Sequence, residues 1–185
     1  GKSIRKGDAP IEAFKAMATE AGGSMQDFLN LCDDCLLQGE VPHDWLLARV
    51  ALIFKKGDPG DCNNYRPICL VPVAYKVFAS LLKQRFLDAG LDARLWYSQY
   101  GFRCKRSTED AMYVARRHIE LACAQRAGQI SLLALDWKKA FDSVHVEALS
   151  DALRRMGLAP SYVALIHSMM SSRSFFVEDC GHCSS

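Results

Sequence analysis

No apolar run in this sequence reaches the roughly 18 residues that a membrane-spanning helix requires. The longest, Ile68 to Tyr75, is interrupted by Pro72, so no membrane crossing is expected. An excess of one charge is also missing, since 23 Lys and Arg stand against 21 Asp and Glu for a net charge of +2. There is no internal repeat, no low-complexity block and no long linker, so linked pieces in one compact unit are expected. The chain opens Gly1-Lys2-Ser3 without an initiator methionine or a secretory h-region, and this start reads as the interior of a longer product.

What is present is a globular composition: 185 residues, half of them apolar, enough for one large domain or two small ones. The basic residues cluster at Lys55-Lys56, Arg103-x-Lys105-Arg106, Arg116-Arg117, Lys138-Lys139 and Arg154-Arg155. Clustering suits a polyanionic partner, and basic pairs on helices also occur as plain solvated surface. Eight cysteines are scattered through a chain with ample core material, which favours reduced thiols in an intracellular protein over a disulfide framework. Cys32 and Cys35 repeat with Phe28, Leu31 and Leu36 at helical spacing and are expected to pack in a core rather than hold a metal. Cys180-Gly-His-Cys183 has the form of a redox dithiol, but only Ser184 and Ser185 follow it. The helix that would lower the first thiol's pKa has no residues to form it, so a thiol oxidoreductase is a weak reading beside an incidental pair.

Periodicity predicts a helix over Asp27–Leu37, stopped by Gly39 and Pro42, then a strand over Trp45–Phe54 with Ala48, Val50, Leu52 and Phe54 on one face. After the turn-rich "KKGDPGDCNNY", Pro67–Leu70 can return as its partner, giving a hairpin with a long, mobile, basic tip. A helix follows over Ala74–Leu87. The sequence Ser107-Thr108-Glu109-Asp110 resembles a capping box, and opens a helix to about Arg126 with Ala111, Val114, Ala115, His118 and Leu121 inward or at the boundary. His118 is expected as a core or boundary histidine. Ile130–Leu135, bounded by Gly128 and Asp136, reads as a short buried strand. Asp142 or Ser143 would cap the next helix, which ends at Gly157, and Pro160 starts another. This order fits an α/β or α+β layer, not a bundle.

Chemistry concentrates where that strand ends. In α/β sheets ligands gather at the carboxyl ends of strands, and Asp136 stands at such an end. Magnesium favours one or two carboxylates together with substrate phosphates, although a lone aspartate there can equally cap the next segment. Two-metal phosphoryl transfer needs fixed carboxylates and cations that balance a triphosphate. Lys55, Lys56 and Arg66 on the hairpin can supply those cations, Arg by bidentate contact and Lys as a point charge.

Three stretches, "IFKKGDPGDCNNYRPICLV", "SQYGFRCKRSTEDA" and "LDWKKAFDSV", together resemble the reverse transcriptases of non-LTR, LINE-type retrotransposons in content, order and separation. "GDAPIEAFKA" looks like a weakened form of that family's Gly-Pro-Asp-Gly-Ile-Pro stretch. The resemblance implies the fingers and partial palm of a right-hand polymerase, helix-rich with a fingers β-hairpin and a palm strand. Fingers would occupy 1–125 and partial palm 126–185. It implies that Asp136 is the first metal-binding aspartate and that the Trp137 carbonyl helps hold the nucleotide-side metal. Phe141 would pack under the incoming sugar, with an ordinary core phenylalanine as the alternative. Arg66, helped by Lys55 or Lys56, would lie over the triphosphate. Gly101, Phe102, Arg103, Arg106, Ser107 and Thr108 would line the template, and Asp142 would be structural.

The implied cofactor is Mg²⁺, two ions in the complete polymerase; the implied partners are an RNA template, a DNA primer and deoxynucleotide triphosphates, in cytoplasm and nucleus. The second acidic motif, an aromatic-x-Asp-Asp hairpin, does not occur in these 185 residues. Asp33-Asp34 precede the fingers motif and are expected to face solvent. The remaining palm strands and the thumb are therefore expected in a longer parent chain, and this piece alone is expected to be inactive. The alternative is a degenerate or domesticated remnant that binds nucleic acid without catalysis.

Overall fold

The structure, a computed structural model, describes residues 8–19, 22–179 and 182–183. It is a mixed α/β arrangement, as expected from the order of elements. Its elements fall into two compact units rather than the expected one, the first comprising the described residues up to Gln84 and from His145 onward, the second Arg85–Val144.

The first unit begins with α1 (Ile11–Thr19) and α2 (Ser24–Gln38). Helix α2 ends where Gly39 takes φ 74° and donates its N–H to the Cys35 carbonyl at 2.9 Å, a left-handed cap that a side chain would oppose. Cys32 and Cys35 are each 3% exposed, so the first C-x-x-C packs as its spacing indicates, while Asp33 and Asp34 lie on the exposed side. Burial pushes the Cys35 thiol above its ordinary value, and the charge of Asp34 adds to the effect. Trp45 and Leu46, expected in a strand, belong instead to the short helix α3 (His43–Leu46). Pro42 fixes φ at −52° and accepts from the Trp45 N–H, so the chain turns once before it extends.

Strand β1 (Leu47–Phe54) pairs antiparallel with β2 (Tyr65–Leu70), with Phe54 opposite Tyr65 and Arg49 opposite Leu70. The expected hairpin is present. Its buried face is shorter than the alternation suggests: Ala48 and Val50 are buried, but Leu52 and Phe54 are exposed. Helix α4 (Val73–Asp88) follows, with Phe78 and Leu82 buried as its stripe requires. Helices α6 (Val146–Arg155) and α7 (Pro160–Ser171) return to this unit, with Gly157 at φ 78° between them. Beyond them β3 (Ser174–Asp179) pairs parallel to β1, and β4 (His182–Cys183) pairs antiparallel to β3, giving the order β2-β1-β3-β4. The sequence pattern did not reveal α1, β3 or β4. Cys180 lies outside the described residues, so the second C-x-x-C receives no structural account.

The core joins α2, α3, α4 and α7 through Cys32, Cys35, Trp45, Phe78, Leu82, Leu165 and Met169. Phe14, Phe28, Trp45 and Phe78 form a chain of rings with successive centroids 5.2, 6.0 and 5.5 Å apart. The Tyr162 hydroxyl donates to the Leu82 carbonyl at 2.7 Å, tying α7 to α4. Across the sheet, Arg49 Nη1 donates to Glu178 Oε2 at 2.9 Å and fastens β3 to β1.

The second unit carries α5 (Thr108–Cys123), opened by a complete capping box. Ser107 accepts from the Asp110 N–H, and Asp110 accepts from the Ser107 N–H. The helix stops short of the expected Arg126, and His118 is exposed rather than in a core or at its boundary. The expected palm strand over Ile130–Leu135 is absent as a strand. A strand is fixed by ladder partners, and the second unit contains no other strand among the described residues. Leu132, Leu133 and Leu135 are accordingly 74, 80 and 80% exposed, not buried. The expected cap by Asp142 or Ser143 is also not formed. Ser143 Oγ instead donates to the Lys139 carbonyl at 2.9 Å, and α6 begins with His145 at its N-cap without a side-chain bond.

Phe78 is 0% exposed at the centre of the core. Phe78→Ala is expected to destabilise the chain by about 3–5 kcal/mol, whereas Leu132→Ala should stay within about 0.5 kcal/mol, both read by urea unfolding. Because the folded Cys35 thiol titrates above its unfolded value, its contribution is complete below the unfolded pKa and declines as pH rises through the folded one. Unfolding titrations from about pH 8 to 10, bracketing the ordinary thiol range, should show a smaller loss of stability in Cys35→Ala than in the parent sequence.

Candidate functional site

In the first unit the hairpin tip organises the three cations. Lys55 follows the last rung of the ladder, and its N–H donates to the Asn64 carbonyl at 2.8 Å. Its ammonium donates to the Asn63 carbonyl at 3.4 Å. Lys56 is exposed beside it, and Arg66 is exposed opposite Ile53, one rung from the tip. All three cations therefore share the tip end of the hairpin. Expected as mobile, the tip carries its own hydrogen-bond framework. Asp58 Oδ1 accepts from the Gly60 N–H, Asp61 Oδ1 accepts from the Asn63 N–H, and Asn64 Nδ2 donates to the Asp58 carbonyl, each at 2.9 Å. Tyr65 caps this by donating its hydroxyl to the Pro59 carbonyl at 2.9 Å. Gly57 sits at φ 101° with Asn64 Nδ2 only 2.8 Å from where a Cβ would stand, so this turn requires glycine.

In the second unit Asp136, Trp137 and Phe141 lie on one exposed segment that turns over residues 138–143. Asp136 Oδ1 accepts from the Trp137 N–H at 2.9 Å. Trp137 and Phe141 are 81 and 82% exposed, which rules out the ordinary core role for Phe141 in this unit. Lys139 takes φ 52°, a left-handed residue held by the Ser143 bonds to the carbonyls of Lys138 and Lys139. One carboxylate beside a backbone carbonyl suits a single magnesium shell completed by phosphate and water. No group of three His, Cys, Asp or Glu side chains able to hold a metal occurs among the described residues.

The loop before α5 behaves differently from a simple basic patch. Arg103 Nη1 donates to the Trp96 carbonyl at 3.0 Å and Nη2 to the Asp92 carbonyl at 3.3 Å. The Arg106 guanidinium lies 5.3 Å from the Tyr100 ring centroid, within cation–π range. Gly101 and Phe102 are exposed, and Ser107 is engaged in the capping box. Two basic residues expected on the template are thus also braces of the loop. Pattern reading passed over Tyr100 as the partner of Arg106, although the density of aromatics in "WYSQYGF" was the available signal. Basic pairs elsewhere are partly neutralised: Arg116 and Arg117 reach Glu120 at 2.8 and 2.6 Å, holding its carboxyl below the usual range. Arg154 reaches Asp151 at 2.6 Å. No helix among the described residues is long and apolar enough to cross a membrane.

A family model described as reverse transcriptase (RNA-dependent DNA polymerase) matches residues 53–183. The chain is 32% identical over 157 residues to the putative 115 kDa protein in type-1 retrotransposable element R1DM of Drosophila melanogaster, covering 80% of this chain and 15% of that protein. It is 29% identical over 147 residues to the retrovirus-related Pol polyprotein from type-1 retrotransposable element R1 of Bradysia coprophila, covering 76% and 14%. A third relative is the corresponding polyprotein from element R2 of Popillia japonica, 31% identical over 123 residues, covering 66% and 17%. The chain therefore spans only between 14 and 17% of the length of these relatives. The hairpin, the braced loop and the Asp136 segment all fall inside the matched stretch, and the chain belongs to the reverse transcriptase family, in the LINE-type branch carried by non-LTR retrotransposons.

Proposed function

We propose that this chain is the fingers (1–125) and first part of the palm (126–185) of a polymerase that copies RNA into DNA, inactive as it stands here. The observation that carries the reading is the family match across 53–183, which contains every motif assigned a role. On this reading the exposed Asp136 carboxylate and the Trp137 carbonyl hold Mg²⁺ against an incoming deoxynucleotide triphosphate. Bound there, the metal would stabilise charge on the transferring phosphoryl group, which is the principal device in this chemistry. Arg66, Lys55 and Lys56, gathered at one end of the hairpin, neutralise the triphosphate. Phe141 packs under the sugar and rejects a 2′-hydroxyl, a role its exposed ring leaves open to it. The loop from Gly101 to Ser107 lines the RNA template, and a DNA primer is the polymerase's other nucleic-acid partner.

The aromatic-x-Asp-Asp motif, a thumb and the rest of the palm belong on this reading to a longer parent chain working in cytoplasm and nucleus. Two metal ions would act in that complete protein, which would supply the further carboxylates they need beside Asp136.

The 185-residue chain, given an RNA template, a DNA primer, deoxynucleotides and Mg²⁺, is expected to yield no extended primer; any extension overturns the assignment of inactivity. Reading the parent transcript past Ser185 separates the polymerase from a non-catalytic remnant. An aromatic-x-Asp-Asp motif in frame supports the former, and an immediate stop codon supports the latter. Binding of single-stranded RNA through four phosphate contacts should weaken roughly fiftyfold between 50 and 200 mM salt, following a slope of about −0.7 per contact. A flat response in a filter-binding or anisotropy titration would remove the nucleic-acid interface.

A further inference from the structure

The loop between α4 and α5 carries a feature that reaches beyond the Gly101–Ser107 stretch assigned to the template. Trp96, Tyr97 and Phe102 are 83, 79 and 92% exposed. Rings of this size ordinarily go inside, and scattered single exceptions are common; three within seven residues are not scattered.

The loop that displays them is fixed. Arg103 reaches back to the carbonyls of Trp96 and Asp92, and the Gln99 N–H donates to the same Trp96 carbonyl at 2.9 Å. Phe102 and Lys105 both take left-handed backbone conformations, at φ 60° and 58°. Non-glycine residues adopt this region at a cost, and such conformations persist where their surroundings over-determine them. Here the Arg103 bonds and the Arg106–Tyr100 stack hold the loop on either side of Phe102. The outcome is a rigid backbone that keeps three rings in solvent.

Charge indicates what these rings meet. Residues 85–107 contain five basic side chains, Arg85, Arg94, Arg103, Lys105 and Arg106, against two acidic ones, Asp88 and Asp92. The acids that follow, Glu109 and Asp110, sit in the first turn of α5, where Asp110 serves the capping box. Aromatic faces interleaved with cations match a strand whose bases are free to stack and whose phosphates need neutralising. A duplex hides its base faces, so the complementary ligand is single-stranded.

We propose that Trp96, Tyr97 and Phe102 form a stacking surface for successive bases of a single-stranded RNA, held in place by Arg103, with Lys105 meeting the backbone phosphates. This rests on the template-lining role put forward above and names its recognition chemistry: stacking on base faces, tolerant of sequence.

The test uses the whole 185-residue chain and two fluorescent probes of equal length, about ten nucleotides to fill a single-strand site. One is a uridine oligomer and the other an abasic oligomer with the same phosphates. Trp96→Ala with Tyr97→Ala is expected to weaken binding of the uridine oligomer by at least about fivefold and binding of the abasic oligomer by less than about twofold. Both residues are exposed, so the variant should unfold at the same temperature as the parent. Equal weakening on both probes, or none on either, overturns the stacking surface while leaving the template-lining role intact. Failure of the unmodified chain to bind either probe overturns that role and the stacking surface with it. Unchanged RNA binding together with a loss of self-association in sedimentation would assign the rings to contact between copies of the chain and likewise overturn the inference.

Discussion

The burial of Trp45 against Phe78 is the constraint on which the first unit depends. Trp45 lies in a single turn of helix begun by Pro42, and that turn directly precedes β1. Its ring meets Phe28 of α2 on one side and Phe78 of α4 on the other. The hairpin that carries Lys55, Lys56 and Arg66 therefore starts from a residue locked in the core. Its tip extends well beyond that core, where Leu52, Ile53 and Phe54 are already exposed. Rigidity at the root and hydrogen bonds within the tip together determine where the three cations stand. The same core receives α7 through Leu165 and Met169, so residues distant in sequence contribute to holding the root.

The second unit follows another logic. It has little apolar burial, and its order comes from polar devices: the reciprocal capping box at Ser107 and Asp110, the Arg103 bonds to two carbonyls, and the Ser143 bonds within the turn after Asp136. These devices fix local backbone without covering the surface around it. That suits a region whose side chains are proposed to meet ligands, because an apolar core there would remove the same side chains from contact.

Most helices were legible in the sequence because their signals are local. Gly39 and Gly157 marked ends, Pro160 marked a start, and Ser107 with Asp110 three residues later announced α5. The hairpin was legible for the same reason, since its strands are joined by an obvious turn. The residues proposed for the site stand out in the sequence as chemistry: an acid after an apolar run, and cations on either side of a turn. What escaped was non-local. Ile130–Leu135 has the composition of a buried strand, but composition cannot supply a ladder partner, and the chain extends there without one. The pairing of β3 with β1 was invisible because "SFFVED" carries little alternation and its partner is far upstream. His118 looked like a boundary residue because periodicity locates a face and not what covers it. Arg103 and Arg106 were legible as cations, but their bonds to carbonyls and to a ring depend on the path of the loop.

The parallel pairing of β3 with β1 also bears on how the chain acquires its shape during synthesis. Arg49 and Glu178 are joined across 129 positions of sequence, so the whole stretch between them must emerge before this edge of the sheet can close. The β1–β2 hairpin needs only neighbouring residues and can form early, whereas the parallel rung waits for a long loop to be drawn together. Until then β1 presents an unpaired edge next to exposed apolar residues, the situation in which strands add to one another between molecules. Arg49 moderates that interval. A charged side chain on the waiting strand discourages pairing with a like copy, and the same guanidinium finds its carboxylate once residues 174–179 arrive.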